Sequence, residues 1–307
     1  MKAGNKMIDN LIKKIKETEN PTVFGLDPKL EYVPEDIINK SFKKYGETLE
    51  GASDAIFNFN RILIDSLYDI VPAVKPQSAY YEMYGIDGLI CLKKTIEYAK
   101  KAGLYVILDG KRGDIGATSE AYANAYLGKT KLLNNSVSVS GCDSLTVNPY
   151  LGSDGVLPFV STAKENNKSV FVLVKTSNPS SGELQDLYSD GKHIYEHMAS
   201  LVSDWSCDTY GKYGYSNAIG VVVGATYPSQ AQEIRKILKH NYFLVPGYGA
   251  QGGKAEDIAK SFNDDGLGVI VNASRSIMCA YKKQGGTLSG AAREEAIRMR
   301  DDIMSAL

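Results

Sequence analysis

The chain has 307 residues, of which 43% are hydrophobic and 23% charged, and its 35 basic and 36 acidic side chains leave a net charge of −1. Such a composition is ordinary for a globular protein with a sizeable core, and it excludes the broad basic field of a nucleic-acid-binding surface. An anionic ligand must therefore be gripped by a local site. Cys91, Cys142, Cys207 and Cys279 are scattered with no C-x-x-C pair, so reduced thiols are expected rather than a disulfide framework. Lys2, Lys6, Asp9, Lys13, Lys14 and Lys16 interrupt any leader-like apolar run, and no stretch reaches the roughly 18 apolar residues of a membrane span. A cytoplasmic protein with no membrane partner is expected.

Short β-branched runs alternate with helical patterns along the chain. In chain order the predicted strands are 22–27, 73–76, 105–111, 144–148, 170–176, 219–224, 242–246 and 268–272. Several are nearly unbroken apolar runs (VFVLVK, IGVVVG, YFLVPG, VIVNAS), which suits strands covered on both faces in a parallel sheet. Helical periodicity falls between them, for example at 86–102, stopped by Gly103, at 229–239, with a cap region at Pro228–Ser229, and at 255–262. Segments 28–51, 178–192 and 206–217 read as long loops. Eight strand–helix units predict one (β/α)₈ TIM barrel spanning 1–307 as a single domain, although strand count alone also suits an open doubly wound sheet. Helix-like sequence fills the tail to Leu307, so no further domain is expected there.

In a barrel, catalytic groups collect at the C-terminal ends of the strands. The third strand ends Leu108-Asp109-Gly110-Lys111-Arg112-Gly113-Asp114. Alternation sends Asp109 and Lys111 to one side, and it leaves Asp114, beyond the strand, unable to face the same point. A buried carboxylate and ammonium are costly unless paired, so a strand-end salt bridge is one reading. A functional reading gains from the neighbouring strand ends, where Gly25-Leu26-Asp27 and Val74-Lys75-Pro76 add one charge of each sign.

These segments resemble a known family. GLDP (25–28), AVKPQSAYYE (73–82), ILDGKRGDIGAT (107–118), LTVNPYLG (145–152), VLVKTSNPSSGELQDL (172–187), VPGYGAQGG (245–253) and VNASRSI (271–277) look like the signature segments of orotidine 5′-phosphate decarboxylases of the longer bacterial type. The match runs in the family's order from about Pro21 to Ile277. The resemblance implies removal of CO₂ from orotidine 5′-monophosphate to give UMP, with no cofactor and no metal. Decarboxylation at pyrimidine C6 leaves a carbanion that must be stabilised electrostatically and then protonated. The resemblance gives that work to Lys111, with Asp109 near the leaving carboxylate and Lys75 and Asp114 completing the charge chain. Asp114 and Thr118 would reach into a partner's site, implying a homodimer with shared active sites. Asp27 and Lys75 would hold ribose hydroxyls, and Ser177, chosen over Thr176, would bond the pyrimidine.

The phosphate is expected where strand seven runs into Pro246-Gly247-Tyr248-Gly249-Ala250-Gln251 and strand eight into Asn272-Ala273-Ser274-Arg275. Glycines allow backbone N–H groups close to an anion, and barrels often bind phosphate after strands seven and eight. The resemblance assigns phosphate contacts to Gln251 and Arg275, with Pro246 in the substrate-binding set. Two patterns are decoys. Gly247-x-Gly249-x-x-Gly252 matches a dinucleotide fingerprint, yet the next strand ends in Asn272 and Arg275 rather than an acid. His193-Ile194-Tyr195-Glu196-His197 matches an inverted zinc-protease pattern, yet it falls on an outer helix.

Two other functions fit parts of the pattern. Mg²⁺-dependent sugar-phosphate decarboxylases or aldolases share D-x-K-x-x-D but resemble one another in an acidic ligand at the second strand end, where this chain has Lys75. A non-catalytic nucleotide-binding barrel would keep Gln251 and Arg275 but has no need of the charge chain.

Overall fold

A computed structural model describes residues 7–249 and 253–307. Eight parallel strands close into a barrel: β1 (Thr22–Leu26), β2 (Ala73–Pro76), β3 (Tyr105–Arg112), β4 (Ser144–Val147), β5 (Ser169–Lys175), β6 (Ile219–Val223), β7 (Phe243–Val245) and β8 (Val269–Ala273). Each strand pairs with the next in sequence, and β8 returns to β1 with Thr22 opposite Val271. Every predicted strand lies within one residue of its observed ends. The reason is their composition: β1, β6 and β8 are buried at every position, so the apolar runs mark them without ambiguity.

Side chains divide by the two-residue period of the strands. Val106 and Leu108 point outward and join the core between barrel and helices. Tyr105 and Ile107 point inward, with Val23, Phe171, Leu244 and Ile270, and fill the barrel. The bottom is plugged by the N-terminal helix Met7–Thr18, whose Ile8, Leu11, Ile12 and Ile15 recur at helical spacing and pack into the same inner cluster. Asp9 fixes this plug by accepting from the Lys212 backbone N–H at 2.9 Å and the Asn217 amide at 3.0 Å. The segment 206–217, read as a loop, thus serves the closed end of the barrel.

Two local expectations change. Segment 28–51 is mostly helical, holding Glu35–Tyr45 and the start of Leu49–Leu67. Glu35-Asp36 at its N-terminus and Lys43-Lys44 at its C-terminus suit the helix dipole, and Gly46 ends it at φ 74°. The high charge of this run masks a face that buries only Ile37 and Ser41. In the helix Pro228–Ile237, which follows β6, Pro228 is the first helical residue and Tyr227 precedes it, so Ser229 lies inside the first turn rather than capping it. Gly103 does end its helix, at φ 86°. No helix among the described residues is long and apolar enough to cross a membrane.

Candidate active site

With the bottom closed, the open end of the barrel holds a cavity of about 500 Å³ at the C-terminal ends of the strands. That volume suits a mononucleotide-sized ligand. Its floor is apolar, from Leu173, Val222 and Leu244. One wall carries Asp27, Lys75, Asp109 and Lys111 from β1 to β3, and another carries Gly247, Ser274 and Arg275 from the ends of β7 and β8. Thr176, Ser177 and Asn178 stand at the end of β5.

Asp109 continues the inward series of Tyr105 and Ile107, which places a carboxylate where the apolar packing stops. It is 7% exposed. Lys75 Nζ lies 2.9 Å from its Oδ2 and Lys111 Nζ 2.6 Å from its Oδ1. Asp27 Oδ1 approaches Lys75 at 3.7 Å, so four charges of alternating sign run Asp27–Lys75–Asp109–Lys111. Burial opposes the charge on Asp109, but Lys75 and Lys111 outweigh it and hold the carboxyl far below the ordinary carboxylate range. For Lys75 burial again opposes charge, and Asp109 and Asp27 overcome it and hold the ammonium above its usual pKa. The pair is thus ionised at any working pH.

Lys111 reaches this position by a different route from simple alternation. Its φ is +46°, and the register between β3 and β4 shifts between Leu108 and Arg112. A left-handed residue at a strand end marks a backbone over-determined by its surroundings. Here the Lys111 N–H donates to Thr146 Oγ1 at 2.9 Å, and the same hydroxyl donates to Asp109 Oδ1 at 2.9 Å. Thr146 was not singled out in the sequence. Its signal was available, because Leu145 and Val147 face outward and leave Thr146 inward.

The remaining predicted residues divide. Ser177 lines the cavity, and its hydroxyl makes no hydrogen bond within the described residues, whereas the Thr176 hydroxyl is engaged by Asn178 at 2.7 Å and Gln185 at 2.8 Å. That difference favours Ser177 as the free group. Pro246 and Arg275 line the cavity. Gly247 and Gly249 hold φ of 103° and 67°, which a side chain would strain, and the Gly249 N–H donates to the Gly253 carbonyl at 3.0 Å. Gln251 lies outside the described residues. Gly25 is required on steric grounds: a Cβ there would stand 1.8 Å from Ser274 Oγ and 2.8 Å from Asn272 Oδ1. Asn272 Oδ1 and Asp27 Oδ1 are buried acceptors without a hydrogen-bond donor among the described residues, and both residues line the cavity, where sugar hydroxyls could donate to them.

Asp114 and Thr118 do not line this cavity. Asp114 accepts from the Ile115 N–H at 2.8 Å, and Thr118 is exposed on the helix Gly116–Tyr126. Ile115, between them in sequence, is 55% exposed. The histidines of the decoy pattern hold a loop: His193 Nδ1 lies 2.9 Å from the Asp186 carbonyl and His197 Nε2 2.8 Å from that of Ser189.

Comparison with known proteins places this geometry. Residues 60–285 match the family model described as orotidine 5′-phosphate decarboxylase / HUMPS family. The orotidine 5′-phosphate decarboxylase of Clostridium tetani is 42% identical over 304 residues, covering 98% of this chain and 99% of the relative. That of Caldicellulosiruptor saccharolyticus is 42% identical over 274 residues, covering 89% and 90%. Among solved structures, a putative orotidine-monophosphate-decarboxylase from Toxoplasma gondii superposes with a TM-score of 0.78 at 30% identity, covering 98% of this chain and 99% of the other.

Proposed function

The chain belongs to the orotidine 5′-phosphate decarboxylase family, and we propose that its Asp27–Lys75–Asp109–Lys111 array is the machinery of that reaction. The enzyme decarboxylates orotidine 5′-monophosphate to UMP and CO₂. The observation that carries the assignment is Asp109, buried in the cavity wall and ionised between two ammonium groups.

In this reading the nucleotide lies with its phosphate toward Gly247 and Arg275, and Gln251 also contacts the phosphate. Its ribose hydroxyls donate to Asp27 and Asn272, with Lys75 beside them, and Pro246 and Ser177 border the base. The C6 carboxylate sits by Asp109. Breaking the C6–carboxylate bond leaves its electron pair on C6, where the Lys111 ammonium stabilises it and then gives it a proton. CO₂ departs, and solvent restores the proton to Lys111. The fixed charges need no reorganisation as the carbanion forms, which is the basis of electrostatic catalysis. No step calls for a cofactor or a metal ion.

The side chain of Lys111 is 45% exposed, with room for a second carboxylate. Asp114 from a second copy of the chain supplies it, with the Thr118 hydroxyl entering the same site, in a homodimer of single-domain subunits. Cytoplasmic residence accords with a biosynthetic enzyme of soluble nucleotides. Mixing inactive Lys111→Ala protein with inactive Asp114→Ala protein is expected to restore up to a quarter of wild-type activity per site, roughly the share of sites free of both changes at equal mixing, because hybrid dimers hold one intact site. Demonstrated subunit exchange with no recovery would remove Asp114 from the partner's site.

A further inference from the structure

The charge array does not use every buried cation among the described residues. Lys175, the last residue of β5, is fully buried, and burying an ammonium is costly without a close partner. Its Nζ lies 2.6 Å from Asp186 Oδ1 and 4.5 Å from the centroid of the Tyr227 ring. Asp186 belongs to the segment 178–192, eleven residues downstream. We propose that Lys175 is a positioning residue, whose ion pair with Asp186 latches this loop and sets the place of the Ser177 hydroxyl at the cavity. The proposal rests on the assignment of Ser177 to the pyrimidine.

The backbone explains why Lys175 points to the loop rather than the cavity. Phe171 and Leu173 belong to the inward series, and regular alternation would add Lys175. The register between β5 and β6 shifts so that Val222 opposes Leu173 while Val223 opposes Lys175. Such an irregularity re-aims a side chain.

Residues 185 and 186 are clamped against 175 and 176 at several points. Gln185 Oε1 accepts from the Thr176 N–H at 2.9 Å, while its amide donates to the Thr176 hydroxyl at 2.8 Å. Gln230 donates to Asp186 Oδ1 at 3.1 Å, and His193 meets the Asp186 carbonyl. Ser177 leaves this clamp directly into the cavity wall. On its other side it rests on β6: a Cβ on Gly224 would stand 2.8 Å from the Ser177 backbone and Cβ. The chain at Ser177 is thus held between a strand that must be bare and a loop end tied by a buried charge. Displacing a substrate contact by about 1 Å can cost up to roughly 100-fold in rate.

The test is a double-mutant cycle in kcat/KM for orotidine 5′-monophosphate, with melting temperatures measured on the same proteins. Ser177→Ala is expected to lower kcat/KM by roughly ten- to a hundredfold, the effect of one lost hydrogen bond to a buried group. Lys175→Met keeps the apolar stem without the charge and is expected to lose a similar factor. If Lys175 acts through Ser177, the double variant is no worse than the poorer single variant. A purely structural Lys175 would lower the melting temperature while the losses in kcat/KM multiply, which overturns the latch and leaves Ser177 in its role. Near-normal kcat/KM in Ser177→Ala overturns the pyrimidine assignment, and the role given to the latch falls with it. Asp186→Asn, on the partly exposed side of the pair, must give the same coupling and replaces Lys175→Met if that protein does not fold.

Discussion

Lys111→Ala is expected to lower turnover by more than roughly 10⁴-fold, beyond the range usual for loss of a general acid alone. The larger loss follows because one ammonium both stabilises the C6 carbanion and protonates it. The variant should still fold. The Lys111 side chain is 45% exposed, and without it Asp109 keeps Lys75 at 2.9 Å and the Thr146 hydroxyl at 2.9 Å. UMP affinity should fall far less than turnover, because the ribose and phosphate contacts are on other strands. A structural salt bridge would give the reverse pattern: a depressed melting temperature with near-normal turnover in the folded fraction. Turnover, UMP affinity and melting temperature on one purified variant separate the two. The contrast with Lys75 is instructive, since Lys75 is 4% exposed and its removal would take away the cation between Asp27 and Asp109 and leave Asp109 with Lys111 alone, so its loss would confound folding with chemistry.

Arg275→Ala is expected to give the second largest effect. A charged hydrogen bond to the phosphate is worth about 1.5–3 kcal/mol, or roughly ten- to a hundredfold in kcat/KM. The loss should exceed that value, because binding energy at the phosphate, remote from C6, is used to orient the base at the reacting end. Arg275 is exposed at the rim where β8 ends, so its truncation leaves no buried group among the described residues unpaired and the melting temperature should stay near wild type. The same reasoning applies to the ligand. Phosphite added to the wild-type enzyme should occupy the empty phosphate region and stimulate turnover of the nucleoside that lacks phosphate. A wild-type enzyme equally fast on that nucleoside without phosphite would refute the role given to Arg275.

How far the sequence could be read depended on where local rules hold. Asp109 was legible because it extends an inward series set by Tyr105 and Ile107, and the unbroken burial of β1, β6 and β8 made the strands plain. Lys111 was found by spacing, yet its positive φ and the β3–β4 register shift show that spacing alone did not place it. Thr146 was overlooked although its alternation was readable. Lys175 was hidden for a physical reason, since a register irregularity in β5 moves it off the face that alternation assigns. The helix Glu35–Tyr45 was hidden by its charge, because a rim helix that buries little has little apolar signal. Asp114 and Thr118 do not line the cavity of the single chain, so the role proposed for them depends on a second copy.

The central claim is that fixed side-chain charges, with Lys75 where a metal-dependent relative would need an acid, carry out the decarboxylation unaided. The most direct measurement follows the absorbance of orotidine 5′-monophosphate after addition of purified protein that has been exhaustively treated with a chelator, with released CO₂ counted alongside. The expected result is full turnover in the presence of the chelator, one CO₂ per nucleotide converted, and no stimulation by Mg²⁺. Activity abolished by the chelator and restored by Mg²⁺ would contradict it.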